Sequence, residues 1–332
     1  MGRFTQLGDA AMARIGAGFG LGPVQTWHPI VAGTVNSNFA LTTATGRWFV
    51  RVNEGKTDGD VAWEARVLAA LAAAGVPTPA PRSGPDGRAW LEDDGHLLSA
   101  FAWLPGRHLG ADEVTPAHAA RLGTALAELH QATDAIPPHQ RRGSRYDMAG
   151  LGQRLDQIGA AVDCGARPEL ATVHAELARE HAWLLAQAEV RAAGRAGVIH
   201  GDLFRDNVLW ADARAEAPTL VALLDFEQAS AGSCVYDLAV AIGDWCWSGA
   251  AAPVLDPARM DALLTGYQHL RPLSPADHAA LAVELRAASA RFTITRLTDV
   301  YLPGIDNPDK DYRAFLIRLR HWQGQGAASA PG

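Results

Sequence analysis

The densest group of reactive side chains is His200-Gly201-Asp202-Leu203-Phe204-Arg205-Asp206-Asn207, and Asp225 follows 18 residues after Asn207 within Leu223-Leu224-Asp225-Phe226-Glu227. The two stretches read as H-x-D-x-x-x-x-N and D-F-x. Such spacing suits phosphoryl transfer, in which one carboxylate takes the proton of an attacking hydroxyl while an amide and a second carboxylate offer hard oxygens to magnesium. Asp202 is then the expected base, and Asn207 and Asp225 are the expected metal ligands. Singly, Asp and Asn also close turns by bonding nearby backbone. Three of them at this spacing, the last after a strand-like apolar run, favour the chemical reading. His200 is expected to brace the loop, since Asp202 already supplies the base.

A phosphate donor also needs a cover and a cation. Val31-Ala32-Gly33-Thr34-Val35-Asn36-Ser37-Asn38-Phe39 lies between strand-like runs, and its small residues Gly33, Asn36, Ser37 and Asn38 would let backbone N–H groups approach phosphates. It is not a Walker A loop, and its single glycine also fits a plain hairpin turn. In the next run, period-two alternation puts Trp48, Val50 and Val52 on one face and Phe49 and Arg51 on the other. Arg51 is the expected phosphate contact; the alternative is an arginine in solvent on an edge strand. Glu64, thirteen residues further on, would either hold Arg51 or complement the dipole of the helix it begins. Phe101-Ala102-Trp103 stands where a connecting backbone would hydrogen-bond adenine, so Phe101 and Trp103 are expected at the nucleotide.

The elements that position these residues follow from hydrophobic period and breakers. Val31–Val35, Asn38–Thr43 and Arg47–Val52 read as a β-meander, with two more strands over Arg88–Glu92 and His96–Trp103. A helix begins at Asp60 and stops at Gly75 before Pro77 and Pro79. Beyond residue 112 the pattern is helical: 116–130, 148–161, 167–193, 257–269, 275–301 and 311–322, with short strands at 208–210 and 220–225. The expected fold is α+β and two-lobed. Residues 1–104 form a small β-rich lobe, 105–323 a larger helical lobe, and 324–332 a flexible tail.

Composition removes several classes. With 48% hydrophobic and 20% charged residues the 332-residue chain is an ordinary globular protein, and its formal charge of −7 is not that of a nucleic-acid binder. Cys164, Cys234 and Cys246 make no even disulfide framework, the first residues carry no signal-peptide core, and no uncharged apolar run reaches membrane length. A cytoplasmic protein without membrane or nucleic-acid partners is expected, as monomer or homodimer. No zinc spacing occurs among the histidines.

The polar cluster, with Asn36-Ser37-Asn38-Phe39, the Leu122-Gly123 to Leu129-His130 helix, Tyr236-Asp237-Leu238-Ala239 and Asp244-Trp245-Cys246, resembles the aminoglycoside phosphotransferase and choline kinase superfamily. Within it the chain most closely resembles the type II homoserine kinases, from about residue 30 to 320. That resemblance implies a protein-kinase-like fold, ATP with Mg2+, and transfer of the γ-phosphoryl group to the hydroxyl of a small acceptor, with L-homoserine giving O-phospho-L-homoserine for threonine synthesis. Two departures stand out: Arg51 replaces the usual lysine, and Asp225-Phe226-Glu227 lacks the glycine of D-F-G. An amino acid acceptor presents ammonium, carboxylate and hydroxyl groups together. Asp244 and Glu227 are the expected ammonium partners and Arg205 or Arg291 the carboxylate partner, with Tyr236 and Trp245 as pocket wall. Asp237 and Asp244 alternatively cap a helix over 238–242. Other amino-bearing alcohols, aminoglycosides and choline-like compounds included, are competing acceptors, and a nucleotide-binding pseudokinase is the competing class.

Overall fold

A computed structural model describes residues 5–30, 36–212, 216–249 and 253–328. The chain divides into two units: one of the chain up to Arg107 with Leu209–Ala211 and Leu220–Glu227, the other of His108–Val208, Asp212–Thr219 and the chain from Gln228 onward. A single cut after residue 104 therefore misses two segments that return to the first unit.

In the first unit, α1 (Asp9–Gly18) precedes β1 (Val24–Ile30), β2 (Ser37–Thr43), β3 (Gly46–Val52), α2 (Asp58–Ala73), β4 (Leu91–Asp93) and β5 (His96–Ala102). The strands form one antiparallel sheet in the order β1-β2-β3-β5-β4. β1 lies before the expected Val31–Val35 strand, whose residues fall outside the described ones together with Gly33. Alternation works as expected in β3: Val50 and Val52 are fully buried against Met12, Ile15, Leu41 and Leu98, which turns Arg51 to the opposite face. Thr57 and Asp60 cap α2 reciprocally, which sets the start of the helix that carries Glu64.

The second unit holds α3 (Pro116–Thr133), α4 (Met148–Asp163), α5 (Ala171–Ala186), α6 (Ala188–Ala193), and β6 (Ala196–Ile199). Next in chain order come β7 (Val208–Trp210), which belongs to the first unit apart from Val208, and β8 (Leu220–Leu223), which lies wholly in the first unit; the second unit resumes with β9 (Ser230–Ser233) and α7 (Cys234–Trp245). The chain ends with β10 (Trp247–Ser248), β11 (Val254–Leu255), α8 (Pro257–Leu270), α9 (Pro275–Arg296) and α10 (Tyr312–Ala328). β6 pairs with β9, β7 with β8 and β10 with β11. α9 is buried along most of its length and packs with α4, α5 and α10 around Leu155, Ile158, Ile294 and Leu319.

Three sequence expectations are corrected. The single helix over 167–193 is a 3-10 turn at Pro168–Leu170 followed by α5 and α6, because Gln187 leaves helical geometry. The helix over 238–242 begins at Cys234 and ends at Trp245, so Asp237 and Asp244 lie inside α7. α10 continues through residue 328, into the segment expected as tail. Where α3 meets α8, Gly123 faces the Leu263 carbonyl and Gly266 the Ala120 carbonyl so closely that a Cβ at either position would collide.

Candidate active site

In the first unit the site begins with Arg51. Its Nη2 donates to Glu64 Oε2, its Nε donates to Asn53 Oδ1 at 2.9 Å, and its Nη1 lies 3.5 Å from Asp225 Oδ1. Arg51 is 6% and Glu64 6% exposed, which excludes an edge arginine in solvent. Burial opposes the Arg51 charge, but Glu64, Asp225 and Glu227 outweigh it and hold the guanidinium above its ordinary value. Glu64 sits in the second turn of α2, past the helix start, so its work is the ion pair and not the dipole.

Asp225 has φ of 59°, a left-handed backbone conformation that an aspartate tolerates better than most residues. Its side chain is 41% exposed, so the carboxylate is partly presented while Arg51 steadies one oxygen.

Glu227 departs from the expected ammonium contact. Its carboxylate receives Asn36 Nδ2 at 2.7 Å and pairs with Lys56 Nζ at 3.3 Å, all buried within the first unit. Burial works to raise the Glu227 acid, yet Lys56 and Arg51 bring it below the usual carboxylate range. Asn36 is likewise a brace: its Oδ1 accepts the Glu54 N–H at 3.2 Å, and Ser37 Oγ donates to Glu54 at 2.6 Å. Asn38 stands opposite Arg51 across the β2–β3 ladder. The Trp103 N–H donates to the Arg47 carbonyl at 2.9 Å, so that amide is not the expected adenine donor, and its ring lies under the Arg47 guanidinium at 3.6 Å. Phe101 is buried beside Phe49, with ring centroids 6.2 Å apart. Lys56 escaped the sequence reading; a lysine four residues after a strand gives no local signal that its partner is Glu227.

In the second unit the loop 200–207 is shaped by backbone bonds to buried side chains. Asp237 accepts the N–H groups of His200 and Gly201 at 2.7 and 2.8 Å. Gly201 has φ of 78°, the turn that brings Asp202 round. The Asp202 N–H donates to His200 Nδ1 at 3.3 Å, so His200 braces the loop as expected. Asn207 Nδ2 donates to the Asp202 carbonyl at 2.7 Å, which commits the amide nitrogen and leaves Oδ1 as the hard donor. The Asp202 side chain is 30% exposed and pairs with Arg291 Nη1 at 3.4 Å.

Several expected substrate residues satisfy one another. Arg205 donates to Asp244 from Nε at 3.0 Å, from Nη2 at 3.2 Å and from its backbone N–H at 2.9 Å. Burial opposes the Asp244 charge, but Arg205 holds the carboxyl below its ordinary range. Arg291 is buried under Tyr146, 4.1 Å from the ring centroid. Trp245 is fully buried and donates Nε1 to the Leu203 carbonyl at 3.0 Å, so it braces the reactive loop instead of lining a pocket. Tyr236 packs against the α4–α10 core, and burial pushes its phenol up to about 12.

The first unit, β-rich, carries a buried Arg-Glu pair and the second, helical, presents an Asp-Asn loop, and the fold is protein-kinase-like. The profile of the phosphotransferase enzyme family (APH) matches residues 26–273, and the chain belongs to that family. The homoserine kinase of Burkholderia thailandensis is 33% identical over 308 residues, covering 91% of this chain and 89% of that one. Among solved structures, a spectinomycin phosphotransferase in complex with ADP and spectinomycin superposes with TM-score 0.65 at 13% identity, over 96% of this chain and 95% of that one. A microcompartment-associated aminopropanol kinase superposes with TM-score 0.64 at 18% identity, over 90% and 93% of the two chains. The fold and family expected from the motifs hold, and the protein is an enzyme that transfers a phosphoryl group to a hydroxyl. Among the described residues no helix is long and apolar enough to cross a membrane.

Proposed function

We propose that the protein is an ATP- and Mg2+-dependent kinase that phosphorylates the hydroxyl of L-homoserine. The observation that carries the reaction is the presentation of Asp202 by a loop whose backbone is held by Asp237 and Asn207. Support for the acceptor comes from the identity to the Burkholderia homoserine kinase over nearly the full length of both chains.

In this reading Asp202 accepts the proton of the acceptor hydroxyl as the oxygen attacks the γ-phosphorus and the bond to the β,γ-bridging oxygen breaks, with ADP leaving, and Arg291 fixes the carboxylate for that task. Arg51, held by Glu64 and Asn53, contacts the nucleotide phosphates; a guanidinium offers a fixed fork there in place of a lysine. Asn207 and Asp225 are assigned to Mg2+. Asn207, in the second unit, offers an amide oxygen and Asp225, in the first, a partly exposed carboxylate, each a hard donor of the kind this cation takes. Among the described residues no cluster of three His, Cys, Asp or Glu side chains is placed to hold a metal. When bound, Mg2+ would neutralise charge on the phosphate oxygens.

The test is ADP release by the purified protein with Mg-ATP and L-homoserine, L-serine, choline, ethanolamine, kanamycin or no acceptor. Release that depends on L-homoserine is expected. Turnover with kanamycin and not homoserine would reassign the acceptor, and nucleotide binding without any transfer would favour a pseudokinase.

A further inference from the structure

Asp244 stands among more arginines than one carboxylate can satisfy. Arg205 takes both of its oxygens. Arg318, on α10, interacts electrostatically with Asp244, Arg296 and Arg205, yet it makes no ion pair or hydrogen bond among the described residues, and its Nε is buried without a partner. Arg318 is only 7% exposed. Its guanidinium lies 4.3 Å from the centroid of Phe315, and that of Arg296 lies 4.5 Å from the same ring. Arg296, the last residue of α9, commits Nη1 to the Asp311 carbonyl at 3.0 Å and makes no ion pair with a carboxylate among the described residues.

A buried guanidinium without an anion is costly, and a bidentate carboxylate is the partner whose geometry it matches. Burial, with Arg296 and Arg205 nearby, lowers the Arg318 basicity to about 10, the signature of a cation short of counter-charge. The cluster is also close to the chemistry. Arg205 is three residues from Asp202, and the Asp202 charge is felt at Arg296.

We infer that Arg318, assisted by Arg296, binds the carboxylate of the acceptor and so sets specificity for a carboxylate-bearing hydroxy compound. This rests on the acceptor reading above, and it moves the carboxylate contact from Arg205 and Arg291, which already hold Asp244 and Asp202. Arg318 and Arg296 are the two arginines of this cluster whose forks are not spent on a carboxylate.

The test compares kcat/KM for L-homoserine with that for 3-aminopropan-1-ol, the same molecule without its carboxylate, in wild type, Arg318→Gln, Arg318→Lys and Arg296→Gln. Wild type is expected to favour L-homoserine. In Arg318→Gln the preference should fall by about 30-fold, through KM and not kcat, which is the size of a lost charge-assisted hydrogen bond. Arg318→Lys should restore part of it. A wild-type preference that survives unchanged in both Arg318→Gln and Arg296→Gln overturns this inference and leaves the acceptor reading intact. If wild type uses 3-aminopropan-1-ol as well as L-homoserine, the acceptor reading itself fails and takes the inference with it. Should Arg318→Gln not fold, Arg318→Lys and Arg296→Gln carry the same comparison.

Discussion

Asp237 holds His200 by its main chain: Oδ2 accepts the His200 N–H at 2.7 Å while the same oxygen faces His130 Nε2 at 3.1 Å. Both the aspartate and His130 are fully buried. One carboxylate thus anchors the start of the reactive loop to α3 and α7 at once.

Asp237→Asn should therefore be strongly destabilising, by about 3–5 kcal/mol, because it leaves a buried cationic partner uncompensated. The pH dependence follows from the direction of the shift. Burial opposes the Asp237 charge, but His130, His200 and the Gly201 N–H hold its acid below the ordinary range. The contribution is complete above the unfolded value of about 3.9 and is lost as pH falls through the lower folded value. Calorimetry in acid should show the melting temperature of wild type falling more steeply than that of the variant; parallel curves would contradict the assignment.

Asp202→Asn should lower kcat by about 10²- to 10⁴-fold, the usual contribution of a positioned general base. Nucleotide affinity, followed by fluorescence or calorimetric titration, is expected to stay within about threefold, since the change is smaller than one net hydrogen bond. Transfer at the wild-type rate would remove Asp202 from the base role.

Arg51→Met strands Glu64, a buried carboxylate whose guanidinium partner is lost. A stability loss of about 3–5 kcal/mol is expected together with weakened ATP binding. Glu64→Gln, which keeps the shape and removes the charge, should raise the KM for ATP by about tenfold, consistent with one charge-assisted bond. Urea titration separates the two variants from each other, and steady-state kinetics reads the nucleotide effect.

Asp225→Asn and Asp225→Ala differ in a useful way. Asparagine accepts the left-handed backbone at this position, whereas alanine pays roughly 1–2 kcal/mol for it. Both should raise the Mg2+ concentration needed for half-maximal activity, and only alanine should also lower stability. A loss of activity in Asp225→Asn that is independent of Mg2+ would contradict the metal assignment.

The parts legible in the sequence are those set by short spacing. H-x-D-x-x-x-x-N places Asp202 and Asn207 in one loop, and period two in β3 separates Arg51 from Val50 and Val52. Glu64 was legible as one of two alternatives, and burial of the ion pair decides between them. What escaped depends on contacts between distant segments. Arg205 and Asp244 are 39 residues apart, and Asn36 and Glu227 are 191 apart, so each looked available when its partner was out of view. Trp245 offered an aromatic surface by type, but its N–H finds Leu203 only once α7 is packed. β6 and β9 were missed for a related reason: each has four residues, and their pairing across a long stretch of chain leaves no hairpin signal.

The crossing of α3 and α8 sets a datum for the whole reactive loop. With main chain against main chain at Gly123 and Gly266, α8 comes near enough for Tyr267 Oη to meet His130 Nδ1 at 2.9 Å, and His130 in turn meets Asp237. A methyl group at either glycine would act as a shim, displacing one helix against the other and passing the offset through Tyr267, His130 and Asp237 to the backbone of His200 and Gly201. The aim of Asp202 is thereby gauged by two side chains that the protein does without.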